Sequence, residues 1–176
     1  MRVLLLCLVA VLPAFGAGEL SGRRAPGFSL PDLNLKQYDV ADYRGKVVLI
    51  DIMQTNCPHC QTFSRTLEKV KQRYGDKVMI LSVVNPPDTQ ATVRSYILSH
   101  GVTVPVLFDC GQMAASYLKI TPQRPSISVP HLFIIDANGW IRNDYPYGDA
   151  HKAIFEGAGL FAELDRLLGA APAKPQ

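Results

Sequence analysis

The chain lacks any long block of charges of one sign. Charged residues make up 19% of its 176 residues, and the formal net charge is only +3. It has neither a basic cluster nor an interleaving of basic and aromatic residues, so nucleic acid is not an expected partner. Hydrophobic residues make up 48%, which is enough for a core and argues against a disordered chain. The length predicts one domain.

The chain also lacks an apolar run of roughly 20 residues, the length that spans a membrane. Its N-terminal apolar run, Val3–Leu12, follows the single charge of Arg2 and precedes small residues. This order is typical of a secretory signal peptide. We therefore predict a signal peptide over residues 1–17, cleaved after Gly16 or Ala17, and a periplasmic or otherwise exported protein. An uncleaved N-terminal membrane anchor is the alternative.

Cysteine is scarce as well, with four residues in the whole chain. Cleavage of the signal peptide removes Cys7 and leaves Cys57, Cys60 and Cys110 in an oxidising compartment. A second Cys-x-x-Cys pair is missing, so a structural zinc site is not expected. We interpret Cys110 as a semi-buried small residue. A second redox partner or a dimer disulfide is the alternative role for that thiol.

The motif Cys57-Pro58-His59-Cys60 is the most informative feature that is present. It follows the continuous apolar run Val47–Ile52, a pattern typical of a strand buried on both faces. Pro58 suits the first turn of a helix. Two thiols at a strand-to-helix junction can close into a disulfide within one helical turn, and a helix N-terminus favours the thiolate of the first. This layout predicts a thiol–disulfide exchange site.

The rest of the chain alternates strand and helix patterns. Further strands are predicted at Leu35–Val40, Val78–Val84, Val104–Phe108, His131–Ile135 and Trp140–Tyr145. Helices are predicted from Pro58 to Tyr74, over 89–99 with Val93, Ile97 and Leu98 inward, at Gln112–Leu118 and at Ala150–Leu168. The order predicts an α/β domain whose mixed sheet is covered on both faces. The cysteine pair then lies at the carboxyl end of a central strand, where open α/β sheets place their sites.

Several further motifs accompany the cysteine pair in a fixed order. They are Ala25-Pro26-x-Phe28-x-Leu30, Tyr43-Arg44-Gly45-Lys46-Val47-Val48-Leu49, Pro105-Val106-Leu107-Phe108-Asp109 and Val129-Pro130-x-x-Phe133-x-Ile135-Asp136-x-x-Gly139. Together they resemble the exported TlpA/ResA-like thioredoxin family over roughly residues 25–168. The resemblance implies a thioredoxin fold with a central mixed β-sheet, helices on both faces and an N-terminal β extension. We expect this domain at 18–169 and a frayed C-terminal tail at 170–176.

The resemblance also implies roles for residues outside the cysteine motif. Pro130 is expected to be a cis-proline that faces the cysteine pair, and the Val129 backbone beside it could pair with an extended segment of a substrate. Asp51 matches the buried acid of thioredoxin. His59 and Val129 match the DsbA-like periplasmic oxidants, which share Cys-Pro-His-Cys. The tryptophans that the family usually carries just before the first cysteine are absent here.

The expected chemistry follows from these positions. Cys57 is the attacking thiolate, and Cys60 is the resolving thiol that releases a captured partner. A buried Asp51 would have a raised pKa and could take the Cys60 proton as a general base. Alternatively, Asp51 is a strand acid satisfied by a backbone donor or a buried water. Positive charge from a protonated His59, together with Pro58, favours a more oxidising couple than thioredoxin.

Two other functions remain open on the sequence. Cys57, Cys60 and His131 could bind Cu(I) in a copper-carrying module, although copper-carrying relatives are expected to have three residues between their cysteines. His131 is otherwise a strand-packing residue. A thiol peroxidase is the other alternative, although such relatives place Thr where this chain has Gln54.

The leading interpretation also sets expectations for partners and cofactors. It implies cysteine-containing protein substrates and a membrane or periplasmic redox partner, with cytochrome c maturation as one setting. It requires no cofactor beyond the redox-active disulfide, and it leaves the direction of exchange open. We expect a monomer.

Overall fold

The computed structural model describes residues 18–169. The predicted signal peptide at 1–17 and the predicted tail at 170–176 lie outside the described residues. The strands are β1 (Arg23–Arg24), β2 (Ser29–Pro31), β3 (Gln37–Asp39), β4 (Val47–Met53), β5 (Val78–Val84), β6 (Val106–Phe108), β7 (His131–Ile135) and β8 (Trp140–Pro146). The α-helices are α1 (Pro58–Tyr74), α2 (Gln90–His100), α3 (Gln112–Leu118), α4 (Lys152–Phe155) and α5 (Ala158–Leu167).

Six strands form one mixed sheet in the order β1-β8-β7-β4-β5-β6. Strand β5 runs parallel to both β4 and β6, whereas β7 is antiparallel to both β4 and β8. The N-terminal β extension consists of β1, which pairs with β8 at the sheet edge, and a separate β2–β3 hairpin. The predicted α/β class with a central mixed sheet is confirmed.

Strand β4 is buried along its whole length because helices cover both faces of the sheet. Side chains alternate between faces along a strand. Leu49 and Met53 therefore join the core formed with α1, α2 and α5, whereas Ile50 and Ile52 pack toward α3 and the N-terminal hairpin. Asp51 lies on the same face as Leu49, so its carboxyl group is directed toward the layer that contains α1.

Local sequence determines where α1 begins and ends. Cys57 is the N-cap, with extended backbone angles, and Pro58 occupies the first helical turn, where the missing N–H of proline costs nothing. Phe63 and Leu67 bury one face of the helix. Gly75 ends it at a φ of 52°, which residues with a Cβ rarely adopt. The helix therefore starts at the first cysteine.

Two predicted strands are longer in the sequence pattern than in the structure. The prediction Leu35–Val40 is wrong at its start because Leu35 has a φ of 61°, outside the β region. It is also wrong at its end, where the Asp39 side chain caps a short 3₁₀ turn. The prediction Val104–Phe108 overextends because β6 begins only after Pro105.

The prediction of one terminal helix over Ala150–Leu168 is wrong. A 3₁₀ turn at Asp149–His151 leads into α4, and α5 follows after a break at Gly157. The φ of Gly157 is +107°, and a Cβ there would lie 3.2 Å from Thr66 Cγ2. The close approach of α1 and the left-handed backbone both require glycine at this position. The helix therefore breaks at Gly157, although the apolar periodicity of the sequence continues past it.

The buried face of α2 differs from the predicted one at Leu98. Val93 is buried and Ile97 is partly buried, as predicted, but Leu98 is 76% exposed. Leu98 lies about 140° around the helix from Val93 at 100° per residue, so one apolar face cannot include both. Tyr96 is buried instead of Leu98.

Candidate active site

Cys57 lies where β4 has ended and α1 begins. The Cys60 backbone N–H donates to Cys57 Sγ at 3.4 Å, so this sulfur caps the N-terminal turn of the helix. The Cys57 thiol faces the Val129 carbonyl oxygen at 3.9 Å. The side chain is half-buried, and both Cys57 and Cys60 are free thiols. A backbone N–H directed at a partly exposed sulfur is an arrangement that supports negative charge on it.

Cys60 has the opposite environment. Its side chain is fully buried in the core beneath α1. Burial raises the pKa of the Cys60 thiol well above its ordinary value, and the nearby Asp51 carboxylate and the contact with Cys57 raise it further. The Cys60 thiol therefore keeps its proton at neutral pH.

Asp51 is the buried acid of this site. It lies within β4, in register with Ser82 of β5 and Leu132 of β7, and is 1% exposed. Burial raises the pKa of Asp51 to about 7, partly offset by the Ser82 hydroxyl, which donates to Oδ2 at 3.4 Å. Asp51 Oδ1 has no hydrogen-bond partner among residues 18–169. No backbone group within residues 18–169 donates to this carboxyl, and the alternative of an acid satisfied by a buried water stays a prediction.

Pro130 lies just before β7, next to the cysteine pair. The Val129–Pro130 peptide bond is cis. Pro130 is buried and its carbonyl oxygen accepts the Tyr147 N–H at 3.2 Å, while Val129 is half-buried. Because the Val129 carbonyl lies beside Cys57 Sγ, this segment forms one wall of the site.

Pro58 and His59 form the exposed rim of the site. The His59 ring stacks on Tyr147, with ring centroids 4.3 Å apart and an interplanar angle of 25°. A cleft of about 280 Å³ opens beside this stack. It is lined by His59, Thr62, Phe63, Tyr147, Gly148, Asp149, Lys152, Phe155 and Glu156. The dipeptide between the cysteines is thus in contact with the segment that follows β8.

His131 is a packing residue of β7. Its ring stacks on Phe133 at 4.6 Å, and its Nε2 lies 3.6 Å from Asp144 Oδ2. Burial would raise the pKa of Asp144, but the interaction with His131 and the bond donated by Ser21 outweigh burial and lower it. Among the described residues, no group of three or more His, Cys, Asp and Glu side chains is arranged to hold a metal ion.

Cys110 departs from its expected semi-buried position, because it is exposed. The buried residue of this loop is its neighbour Asp109, whose carboxylate accepts the N–H groups of Met113 and Ala114 and a bond from Asn85. Asp109 therefore caps α3 from inside, and Cys110 is left at the surface.

The sequence prediction missed the contacts of the loop before Cys57. The Thr55 N–H donates to Asp88 Oδ2 at 3.0 Å, and its hydroxyl donates to Asp88 Oδ1. The Thr55 carbonyl accepts from Gln61 Nε2 at 2.8 Å. The two bonds to Asp88 join the β4–α1 loop to the β5–α2 loop, and the bond from Gln61 ties the same loop to α1. The only available signal was that both loops leave the carboxyl ends of neighbouring parallel strands.

Three features of the site define the class of this protein. A helix starts at the first of two neighbouring thiols, a buried acid lies on the strand before them, and a cis-proline lies beside them. The protein is a thiol–disulfide oxidoreductase with a thioredoxin fold. The chain belongs to the AhpC/TSA family, which matches residues 21–144.

Individual relatives agree with this assignment. Over 128 residues the chain is 28% identical to the thioredoxin-like protein YneN of Bacillus subtilis. The aligned residues cover 72% of this chain and 71% of YneN. It is 25% identical over 118 residues to the thiol-disulfide oxidoreductase ResA of Bacillus thuringiensis, covering 67% of this chain and 65% of ResA. A solution structure of a protein from Neisseria meningitidis, provisionally described as a thioredoxin, superposes with a TM-score of 0.66 at 27% identity, covering 86% and 94% of the two chains.

The comparisons confirm the resemblance to ResA-like thioredoxins. The DsbA-like interpretation of Cys-Pro-His-Cys stays a prediction. Across residues 18–169, no helix combines the length and apolar character needed to cross a bilayer.

Proposed function

We propose that this protein exchanges disulfides with cysteine-containing proteins outside the cytoplasm, through Cys57 and Cys60. One observation carries the proposal: the partly exposed Cys57 sulfur caps α1 and accepts the Cys60 N–H, while the Cys60 thiol is buried behind it. This asymmetry assigns different tasks to two chemically identical groups. The thiolate is the form that attacks a disulfide, so the sulfur at the helix N-terminus attacks first.

In the first step, the Cys57 thiolate attacks one sulfur of a disulfide in the partner protein. A new S–S bond forms between Cys57 and that sulfur, and the partner's own S–S bond breaks. The electron pair of the broken bond leaves on the second partner sulfur as a thiolate. The product is a mixed disulfide between the two proteins.

In the second step, Cys60 resolves the mixed disulfide. Asp51 takes the Cys60 proton, the Cys60 sulfur attacks Cys57 Sγ, and the partner leaves as its second thiolate. Two electrons have then moved from the protein dithiol to the partner disulfide. Run in reverse, the same steps oxidise a partner dithiol. A carboxyl group with a pKa of about 7 suits proton transfer in both directions near neutral pH.

The segment beside Cys57 supplies a docking edge for the partner. Proline has no N–H to offer, so Pro130 donates no backbone bond here, and the Val129 backbone beside it is proposed to pair with an incoming extended chain. Pairing of this kind resembles the addition of a strand. It would align the partner's sulfur with Cys57, whose thiol already faces the Val129 carbonyl.

The environment of Cys57 favours an oxidising couple. His59 lies between the two cysteines at an exposed position, and its protonated form adds positive charge to the turn that carries the thiolate. Stabilising the thiolate stabilises the dithiol state and raises the reduction potential. We propose a potential above that of thioredoxin, and a membrane or periplasmic protein that returns the pair to its working state. Cytochrome c maturation is one setting for such a pair.

Export completes the proposal. A signal peptide at 1–17, removed before the domain folds, would deliver it to an oxidising compartment. N-terminal sequencing of protein recovered after secretion tests this step. A new terminus at Ala17 or Gly18 supports it, and an intact N-terminus in a soluble cell fraction contradicts it.

Trapping tests the order of attack. In a Cys110→Ser background, which removes the exposed third thiol, Cys60→Ser should accumulate mixed disulfides that non-reducing electrophoresis detects. The matched variant Cys57→Ser should accumulate few or none, because it lacks the attacking sulfur. Equal trapping by both variants, or none by Cys60→Ser, would contradict the assignment of the two roles.

No observation favours either alternative function. A copper site would need Cys57, Cys60 and His131 together, but the His131 Nε2 lies against Asp144. A thiol peroxidase of the expected type would need threonine where this chain has Gln54.

A further inference from the structure

Tyr147 is an exposed aromatic residue that the exchange steps leave unused. It follows β8 directly, and its ring lies parallel to the His59 imidazole at 4.3 Å. His59 in turn separates the two cysteines in the first turn of α1. Tyr147 is therefore the residue through which a segment far along the chain contacts the redox motif.

Two independent contacts fix the position of Tyr147. Its ring packs edge-to-face with the buried Phe155, with ring centroids 5.2 Å apart, and Phe155 packs in the same way with Phe63 of α1, with centroids 4.8 Å apart. Its backbone N–H donates to the Pro130 carbonyl at 3.2 Å. The core holds one side of the ring and the cis-proline segment holds its backbone, so the free face of the ring offers His59 a fixed surface.

A tyrosine face attracts a cation because its π-electrons are negative above the ring. An imidazolium held on that face stays in the turn that carries the Cys57 thiolate, instead of moving freely in solvent. The benefit exists only in the dithiol state, since the disulfide has no thiolate to stabilise. A contact that restrains His59 therefore shifts the redox equilibrium.

We propose that Tyr147 is a positioning residue of the redox site, which holds the His59 imidazolium over the N-terminal turn of α1 and makes the cysteine couple more oxidising. The inference rests on the proposed exchange activity of Cys57 and Cys60. It assigns a functional role to a residue that neither the cysteine motif nor the proline segment includes.

Other charged groups share the cleft with His59. Asp149, Lys152 and Glu156 also line this cleft, and Lys152 Nζ lies 3.6 Å from Glu156 Oε1. On the helix of His59 itself, the titratable neighbours are Cys57 and Cys60. Because these titratable groups lie near His59, the test compares variants that leave all of them in place.

The test measures the equilibrium with glutathione in the Cys110→Ser background at pH 6. One dithiol protein and one glutathione disulfide give one disulfide protein and two glutathione thiols, a balanced two-electron exchange. Tyr147→Leu should raise the constant for protein oxidation about two- to fivefold, the range of a cation–aromatic contact at an exposed site. Tyr147→Phe keeps the aromatic ring, so its constant for protein oxidation should stay within about 1.5-fold of the parent value. A larger change would show that the hydroxyl group is required.

Two comparisons separate positioning from a general structural effect. In a His59→Ala background, Tyr147→Leu should produce no further change, because a double-mutant cycle isolates the pairwise interaction. Trp140→Leu, which removes a similarly exposed aromatic residue of β8, should leave the constant unchanged.

Each outcome bears on a definite claim. An unchanged constant for Tyr147→Leu at pH 6, or the same change with His59 absent, overturns the positioning role and leaves the exchange activity standing. If the parent protein forms no reversible Cys57–Cys60 disulfide with glutathione, the exchange activity fails and the role of Tyr147 fails with it.

Discussion

At the scale of single residues, Asp51 and Asp144 are two of the buried acids, and their pKa values are shifted in opposite directions. Burial raises the pKa of Asp51, whose only hydrogen-bond donor within residues 18–169 is the Ser82 hydroxyl. Burial acts on Asp144 as well, but His131, Ser21 and the Leu20 N–H surround its carboxylate and lower its pKa. The number of donors, and not burial alone, decides which acid carries charge at neutral pH.

Asp51→Asn tests the cost of this unpaired acid. The native state disfavours ionised Asp51, so the wild-type protein loses stability as pH rises from about 4 to about 7. A shift from 3.8 to about 7 corresponds to up to about 4 kcal/mol at ~1.36 kcal/mol per unit. Urea unfolding of the reduced proteins should therefore show Asp51→Asn as the more stable above pH 7, with the gain lost near pH 4.

A second measurement on the same variant tests catalysis. Asp51→Asn should slow the release of a preformed mixed disulfide, because Cys60 loses its base. A stability gain of the same size at pH 4 and pH 8 would contradict the raised pKa, and unchanged release would contradict the role as a base.

The position of Asp51 in the site could be predicted from the sequence, but its environment could not. Its place six residues before Cys57 on a buried strand indicates burial. The missing partner of Oδ1 depends on which side chains of β5 and β7 lie opposite, and that is fixed by strand register. Tyr147 was missed for the same reason, because a stack between residues 88 positions apart leaves no local pattern.

At the scale of elements, strongly periodic segments were predicted well and their ends less well. The bounds of α3 and β7 agree with the prediction, because apolar spacing and turn residues mark both ends. The terminal helix was predicted as one piece because its apolar residues keep helical spacing across Gly157. The break comes from the close approach of Thr66 on α1 and from the positive φ, and neither is a property of the local sequence.

Gly157→Ala tests the cause of that break. The substitution places a Cβ in left-handed backbone, 3.2 Å from Thr66 Cγ2 and 3.3 Å from the Phe161 ring. We expect a loss of about 1–2 kcal/mol in the free energy of unfolding, from strain and the displaced neighbours. The control Gly27→Ala meets nothing within 4 Å and should change stability by less than about 0.5 kcal/mol. Equal effects of the two substitutions would contradict this explanation.

At the scale of the whole molecule, the N-terminal segment, residues 20–24, is hydrogen-bonded to β8. The Leu20 N–H and the Ser21 hydroxyl donate to Asp144 of β8, and β1 then pairs with the same strand. The fold class and the presence of an N-terminal β extension followed from the family motifs. This attachment did not, because it joins residues more than 120 positions apart.

Asp144→Asn tests the attachment through its dependence on pH. The lowered pKa of Asp144 means that its stabilising contribution is full above the ordinary carboxyl value, about 3.9, and is lost as pH falls through the native value. The substitution should therefore cost about 1.5–3 kcal/mol at pH 6, the range for hydrogen bonds to a charged group. The cost should shrink at pH 3 when measured by urea unfolding. A cost that is the same at both pH values would show that the charge of Asp144 is not what holds the N-terminal segment.

The reversible redox equilibrium of Cys57 and Cys60 with glutathione tests the central claim most directly. The Cys110→Ser protein is equilibrated over a range of glutathione ratios, alkylated and weighed by mass spectrometry. We predict one two-electron transition confined to residues 57 and 60, with a potential above the roughly −270 mV of thioredoxin. A pair that never joins, or a transition that survives Cys57→Ser, would contradict the account of this protein as a thiol–disulfide oxidoreductase.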